Sequence, residues 1–266
     1  MLTLDDFFEL STFVHRELFP GQAPVWTPLD RLKEYMAGYA YPGLNPRLVG
    51  SGMPLTEHLV LYRGELQPAA EMTIEFGDAT AGKLVVRHGG DTLAGASVLM
   101  AGSVYLGEKI AIGAGVLVES GAMIKSPAII GDYNEIRQGA YLRGGCLTGQ
   151  RCVLGHTTEV KNTIFLDDAK AGHFAYLGDS ILGNATNLGA GTKFANLRFL
   201  PGNVTLFFEG KNIDTGRRKL GAILGDGCQT GCNSVTSPGT LMARQSVLMP
   251  NATARGGYHK SKSILR

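Results

Sequence analysis

From Met100 to Val160 a side chain suited to a core returns at every sixth position: Met100, Leu106, Ile112, Val118, Ile124, Ile130, Ile136, Leu142, Thr148, Leu154 and Val160. Four residues after each falls a second, smaller set: Val104, Ile110, Val116, Ala122, Ala128, Asn134, Ala140, Cys146, Cys152, Thr158 and Ile164. Neither the period of a helix nor the alternation of a flat sheet produces this pattern. A short strand followed by a turn does. Three such hexads close a triangular coil, and successive coils stack as parallel strands about 4.8 Å apart. The expected fold is mainly β: a left-handed parallel β-helix of hexapeptide repeats, its hand taken from the known hexapeptide coils, which depart from the crossover rule.

Beyond Val160 the inward residues continue as Phe165, Ala171, Leu177, Leu182 and Leu188, with two steps of five. Leu224, Thr230, Thr236, Met242 and Leu248 restore the step of six. The coil is thus expected over 100–250, with 193–223 as an inserted arm and 251–266 as a C-terminal tail. Such insertions leave one face of a solenoid, often the binding face. Residues 1–58 are expected to form an N-terminal helical cap over the open end of the coil. Thr3 can cap a helix with Phe7, Phe8, Leu10, Phe13, Val14 and Leu18 on one face, and Thr27-Pro28 starts a second with Leu29, Leu32, Tyr35 and Met36. Between 59 and 99 the strand-like LVLYRGEL, MTIEF and KLVVRHGG do not fall on the beat and are read as irregular lead-in coils.

A net charge of +2 over 266 residues gives no reason to invoke nucleic acid or a membrane, and the many turns of a coil account for 37 glycines. The N-terminus is acidic and amphipathic, unlike a secretory signal, so a cytoplasmic location is expected. Cys146 and Cys152 fall in small inward slots and read as buried thiols. Cys228 and Cys232 form a weak metal signal, and no metal is assigned.

One coil is three hexads, so Lys125, Arg143 and Lys161, each just after an inward residue, form a column on one face. Solvated charges are the bland reading of such positions. Counting through the slips, however, puts Tyr176 on the same face and His173 at the corner leading into it. Arg143 and Lys161 one coil apart repel unless an anion bridges them, which makes the column a candidate phosphate site.

The stretch GHTTEVKNTIFLDDAKAGHFAYLGDSILGNATNLGAGTKFANL resembles the acetyltransferase half of bifunctional glucosamine-1-phosphate acetyltransferase/N-acetylglucosamine-1-phosphate uridylyltransferase. The continuation IDTGRRKLGAILGDGCQTGCNSVTSPGT is similar to long-armed archaeal-type sugar nucleotidyltransferase relatives. The resemblance implies His173 as general base, Arg143 and Lys161 on the sugar phosphate, and Tyr176, Asn187 and Asn196 on the amino sugar. Ala190 and Cys232 fall where the family binds the arm of acetyl-CoA, the co-substrate. It also implies a homotrimer of parallel coils with sites in the grooves between them, and Asn187, one face further round, suits donation to a neighbour. The nucleotidyltransferase half opens with a Gly-rich loop that has no counterpart between Met1 and Val98, so that activity would belong to a separate partner. The arm is longer than the bacterial loop, and Lys193, Lys211, Arg217, Arg218 and Lys219 are unranked candidates for its sugar-binding lysine.

The chemistry this implies is acetyl-CoA-dependent N-acylation of a glucosamine-1-phosphate-like acceptor, in UDP-N-acetylglucosamine-type biosynthesis, with no metal required. An amine attacking a thioester must lose a proton, and a histidine with an ordinary pKa near 6.5 can take it. Two alternatives stay open: a non-catalytic sugar-binding or scaffolding subunit, and an N-acyltransferase for a nucleotide-linked amino sugar. A zinc carbonic anhydrase of this fold needs three histidines, and only His156 and His173 lie in the regular coil.

Overall fold

The computed structural model describes residues 4–44 and 51–266. The Thr3 cap lies outside them. From Val104 to Leu265 short strands stack in parallel into three sheets that meet at three corners. Every coil visits the faces in one order. In the coil nearest the candidate site, Lys170–His173 lies on the first face, Tyr176–Gly178 on the second and Ile181–Leu182 on the third. For what they carry, these are the asparagine face, the cation face and the covered face.

Strand register explains the slips in the beat. Met123 pairs with Tyr141 and Tyr141 with Glu159, 18 positions at each step. Glu159 then pairs with Tyr176 and Tyr176 with Lys193, 17 positions at each step. The lost residue comes out of the corner between the cation and covered faces. There Gly144-Gly145 gives way to the single residues Asn162 and then Asp179, at φ 49° and 51°. Asn and Asp tolerate this left-handed backbone better than other non-glycine residues, so they can turn the corner one residue short.

The inward ladder from Val118 to Leu248 is buried along its length. The beat starts one residue earlier than the spacing suggested: Leu99 and Tyr105, not Met100 and Leu106, pair with Val118 and Ile124. A seven-residue step from Tyr105 to Ile112 sets the later phase, and Leu106 is left exposed. The five-residue step moves another slot, so Thr163 rather than Ile164 aligns with Cys146. The inward polar group Asn134 is satisfied: its amide donates to Thr148 Oγ1 at 2.6 Å and its carbonyl accepts from the Cys152 amide at 2.6 Å.

The covered face is apolar on its outer side too. Ile129, Leu147, Ile164, Ile181, Ile223 and Leu241 stack in register and are buried under Phe7, Phe8, Phe13, Trp26, Leu29 and Leu32. Burying each such side chain contributes about 1.5–3 kcal/mol, which fixes the N-terminal segment to a face. The expected cap over the open end is therefore corrected: that end is closed by Leu55, Leu59 and Tyr105, with Leu44, Leu61 and Leu66 packed against them. Nor is there a helix over residues 4–18, only the 3-10 turns Leu4–Asp6 and Arg16–Leu18. The Phe7 carbonyl accepts from the Asp226 amide at 2.8 Å and the Glu9 amide donates to the Asp226 carboxylate at 2.7 Å, so groups a helix needs are spent on the coil. The helix begun by Thr27-Pro28 does form, over Thr27–Gly38, and buries Leu29, Leu32 and Met36.

Residues 59–92 are not coils, and of the expected lead-in only Ser97–Leu99 joins the parallel stack. Leu59–Tyr62 and Glu65–Pro68 form an antiparallel hairpin through Arg63-Gly64, both at positive φ, a turn that reverses the chain where a coil would carry it forward. Met72–Glu75, Val85–His88 and Asp91–Thr92 form a second antiparallel sheet, and Val86 and Ala79 pack with Val60, Val98 and Leu117 over the first coils of the asparagine face. Residues 251–266 are a further coil and not a tail, since Thr253–Ala254, Gly257–His259 and Ile264–Leu265 extend all three faces.

The chain leaves the coil after Phe194 and rejoins it at Ala222. Pairing passes across the gap, Lys193 with Val235 and Ile181 with Ile223. The arm carries the hairpin Thr205–Phe208 and Lys211–Asp214 and folds back over the covered face, burying Val204, Leu206 and Leu220.

Candidate active site

His173 ends a strand of the asparagine face and stands in register with His156 one coil before. The same ladder continues through the corner, where the Gly191 amide donates to the His173 carbonyl at 3.0 Å and the Asn233 amide to the Ala190 carbonyl at 2.8 Å. Two residues past the paired Ala171, Leu188 and Thr230, the column at this corner thus reads His156, His173, Ala190, Cys232. The candidate base and both candidate cofactor positions share one edge of the prism. His173 is exposed, with Phe174 beside it at φ 51°. The Phe174 ring lies 6.4 Å from that of His173 and 5.2 Å from that of His156. His156 holds its Nδ1 3.0 Å from the Gln138 carbonyl, which suits a ring protonated at Nδ1.

Around the corner, the cation face carries Lys125, Arg143 and Lys161 in adjacent coils, alternating with Met123, Tyr141, Glu159 and Tyr176. The expected repulsion between Arg143 and Lys161 is relieved within the chain. Arg143 donates to the Glu159 carboxylate at 2.5 Å, and that pairing raises the guanidinium pKa. The anion that the charges require is therefore already present, and a phosphate there must share Arg143 with Glu159. Lys125 donates to the Tyr141 hydroxyl at 2.8 Å. Of the three cations, Lys161 alone makes no side-chain hydrogen bond among the described residues.

Tyr176 is half-buried, and its phenol pKa is raised by burial, with the Glu159 and Asp179 carboxylates adding to the shift and Arg143 opposing it. It therefore stays protonated, a hydrogen-bond donor near neutral pH. Its hydroxyl and the Asn196 amide crowd together over Gly178, where a Cβ would lie 2.8 Å from the one and 2.4 Å from the other. The absence of a side chain at 178 lets them meet. Asn196 is buried and donates its amide to Asp179 Oδ2 at 2.7 Å, so it supports the site from beneath.

Asn187 is not brought to this corner. It is exposed on the asparagine face, paired with Lys170 at the strand start, three residues from the level of His173 and so about 10 Å along the strand. The five arm-associated cations separate in the structure. Lys193 lies on the cation face in register with Tyr176 and donates to the Gly191 carbonyl, whereas Arg217 is largely buried and paired. Among the described residues no three His, Cys, Asp or Glu side chains are placed to hold a metal ion, and no helix is long and apolar enough to cross a membrane.

Glu159, Gly178 and Asp179 were missed in the sequence, and Arg217 was named only as one of five unranked cations. Glu159 was within reach, because strand alternation puts it on the same face as Lys161. Asp179 had a signal in the five-residue step it makes possible. Arg217 had none among five neighbouring cations.

The fold and this corner define a hexapeptide-repeat β-solenoid with a histidine-bearing edge beside a cation face. Over part of its length the chain resembles GlmU-type bifunctional proteins. It is 37% identical over 113 residues to the bifunctional sugar-1-phosphate nucleotidylyltransferase/acetyltransferase of Sulfurisphaera tokodaii, covering 42% of this chain and 28% of that protein. It is 32% identical over 127 residues to the bifunctional protein GlmU of Methanococcus vannielii, covering 48% and 30%, and 35% identical over 119 residues to that of Acaryochloris marina, covering 44% and 22%. The chain thus spans less than a third of the length of these relatives. No family model matches it. A solved UDP-N-acetylglucosamine acyltransferase of Francisella novicida aligns with a TM-score of 0.34 and 14% identity over 59% of this chain and 56% of that one, a likeness on which nothing here rests.

Proposed function

We propose that this chain is an acyl-CoA-dependent N-acyltransferase acting on an amino sugar phosphate of the glucosamine 1-phosphate type, in the making of nucleotide sugars. The observation that carries this reading is the shared edge of His173, Ala190 and Cys232 running directly beside Arg143, Lys161 and Tyr176. A thioester laid along the edge presents its carbonyl to an amine held on the face. His173 takes a proton from the attacking amine as the nitrogen–carbon bond forms. The carbon–sulfur bond then breaks, and the proton passes to the departing CoA thiolate. Lys161 and Arg143 bind the phosphate and Tyr176 donates to the sugar. Fixing the acceptor in this way can supply several kcal/mol of the barrier, roughly what well-oriented reactants gain over free ones. Asn187 serves a neighbouring copy in a homotrimer, and acetyl-CoA lies in the groove between two coils.

The test is a panel of acyl-CoA donors against amino sugars with and without phosphate, read by release of free thiol. Turnover is expected with acetyl-CoA and an amino sugar phosphate, and Lys161→Ala should raise KM for that acceptor far more than for the donor. Equal losses for phosphorylated and neutral sugars would remove the phosphate reading. Turnover only with nucleotide-linked sugars would move the assignment to that acceptor class, and no turnover with any pair would leave a binding or scaffolding subunit.

A further inference from the structure

We infer that Arg217 is a positioning residue that locks the root of the arm beneath the candidate acceptor site and ties both to the N-terminal helix. The inference rests on reading the cation face as that site. Arg217 sits at the foot of the arm with a side chain only 13% exposed. Its guanidinium reaches three ways: Nη1 to Asp30 on the Thr27–Gly38 helix, Nη2 to Asp179 Oδ1 at 3.6 Å, and Nε to the Lys219 carbonyl at 3.2 Å. Asp179 in turn holds the corner together. It accepts from Asn162 at 2.7 Å on Oδ1 and from Asn196 at 2.7 Å on Oδ2, and its own amide and carbonyl pair with the Lys161 carbonyl and the Gly221 amide.

A path of polar contacts therefore runs from Asp30 through Arg217 and Asp179 to Asn196, whose amide lies against the Tyr176 hydroxyl over Gly178. Asp179 is 5% exposed, and a carboxylate that deep is costly to leave without a cation and full hydrogen bonding. Arg217 is the only cation within ion-pair distance of it among the described residues. The planar guanidinium can serve two carboxylates and a carbonyl at once, which a lysine ammonium on a flexible stem does less well. The consequence concerns Asn196 and Tyr176. Without Arg217 the two stems of the arm at Asn196 and Leu220, joined by the Leu220 amide to the Asn196 carbonyl at 3.0 Å, lose an anchor while the strand pairing of the coil is unchanged.

The experiment compares wild type with Arg217→Met, Arg217→Lys and Asp30→Asn. Two quantities are read in each: hydrogen exchange at the Leu220 amide, and steady-state constants for glucosamine 1-phosphate and acetyl-CoA. Arg217→Met is expected to speed Leu220 exchange and raise acceptor KM about tenfold, with kcat and the acetyl-CoA KM within about twofold of wild type, the loss of one charge-assisted contact. Arg217→Lys should recover part of both. Should Arg217→Met not fold, Asp30→Asn opens the same path at its exposed end and must show the same split in smaller measure. Unchanged Leu220 exchange overturns the inference, and so does faster exchange with unchanged acceptor KM. If wild type acylates no amino sugar, the acyltransferase reading fails on its own, and Leu220 exchange still decides whether Arg217 holds the arm.

Discussion

Arg143 donates to Glu159 across one coil of the cation face at 2.5 Å, so the most exposed cation of the column enters any encounter with an anion already paired. The pair is solvent-accessible, and screening by water makes its worth to stability small. Its effect on binding is larger in consequence, because Glu159 sets the net charge that an incoming phosphate meets.

Glu159→Gln should therefore tighten inorganic sulfate binding by about threefold to tenfold at low salt, with the gain fading as ionic strength rises. Isothermal titration with sulfate at two salt concentrations checks this. Weaker binding in the variant would mean that Glu159 orients Arg143 more than it repels the anion.

His173→Ala should lower acyl transfer by about 100- to 10,000-fold with the fold and CoA binding intact. Asn187 lies too far along its strand to serve the same chain's His173. Mixed His173→Ala and Asn187→Ala chains should then recover activity that neither shows alone. An active monomer by light scattering, or no recovery on mixing, would return Asn187 to the role of a solvated surface residue.

Gly178→Ala should damage the site more than the coil. The nearest atoms to the new Cβ are the Asn196 amide and the Tyr176 hydroxyl, not backbone, so side chains of the site must give way first. Acceptor KM should rise while Tm falls only slightly, the loss of stability staying within the about 0.5–1.5 kcal/mol that off-rotamer side chains cost. A collapse of Tm with unchanged KM would show that the crowding is relieved through the coil instead.

Protonation tests the N-terminal segment. His15 is buried with its Nδ1 2.7 Å from the Tyr35 hydroxyl, and burial depresses its pKa below the ordinary 6.5, with Glu17 opposing. The native ring stays neutral where the unfolded chain takes up a proton. Its contribution is thus complete above pH 6.5 and is lost as pH falls from there toward the depressed native value. Asp167 and Asp226, whose carboxyl pKa values are raised by burial, act with the opposite sign and cannot supply this loss. His15→Phe should show a smaller drop in Tm between pH 7.5 and about 5.5 than wild type. Equal drops would clear His15 of the effect.

The coil was legible because its inward ladder repeats every six residues and burial depends only on that phase. Tyr105 and Thr163 were placed one residue off because a single extra or missing corner residue shifts the slot without changing composition. The covered face was harder. Ile129, Leu147 and Ile164 fall between inward residues, where a solenoid ordinarily meets solvent, and only runs such as AII and TIF betray a strand buried on both sides. Phe7 and Phe8 read as a helix face because no local signal shows that Asp226, more than two hundred residues on, claims the Phe7 carbonyl and the Glu9 amide. The placement of His173, Lys161 and Tyr176 about one corner follows from register. The links through Asp179 and Arg217 belong to tertiary contacts that no spacing encodes.

The arm leaves the coil after Phe194 and returns at Ala222 while strand pairing closes over it, so it is spliced into the solenoid at a seam the rest of the prism does not use. The edge bearing His173 and the arm are therefore built from separate stretches of chain. On the reading proposed above, one arm could be exchanged for another, or lengthened, and the acceptor changed with the edge that bears His173 left in place.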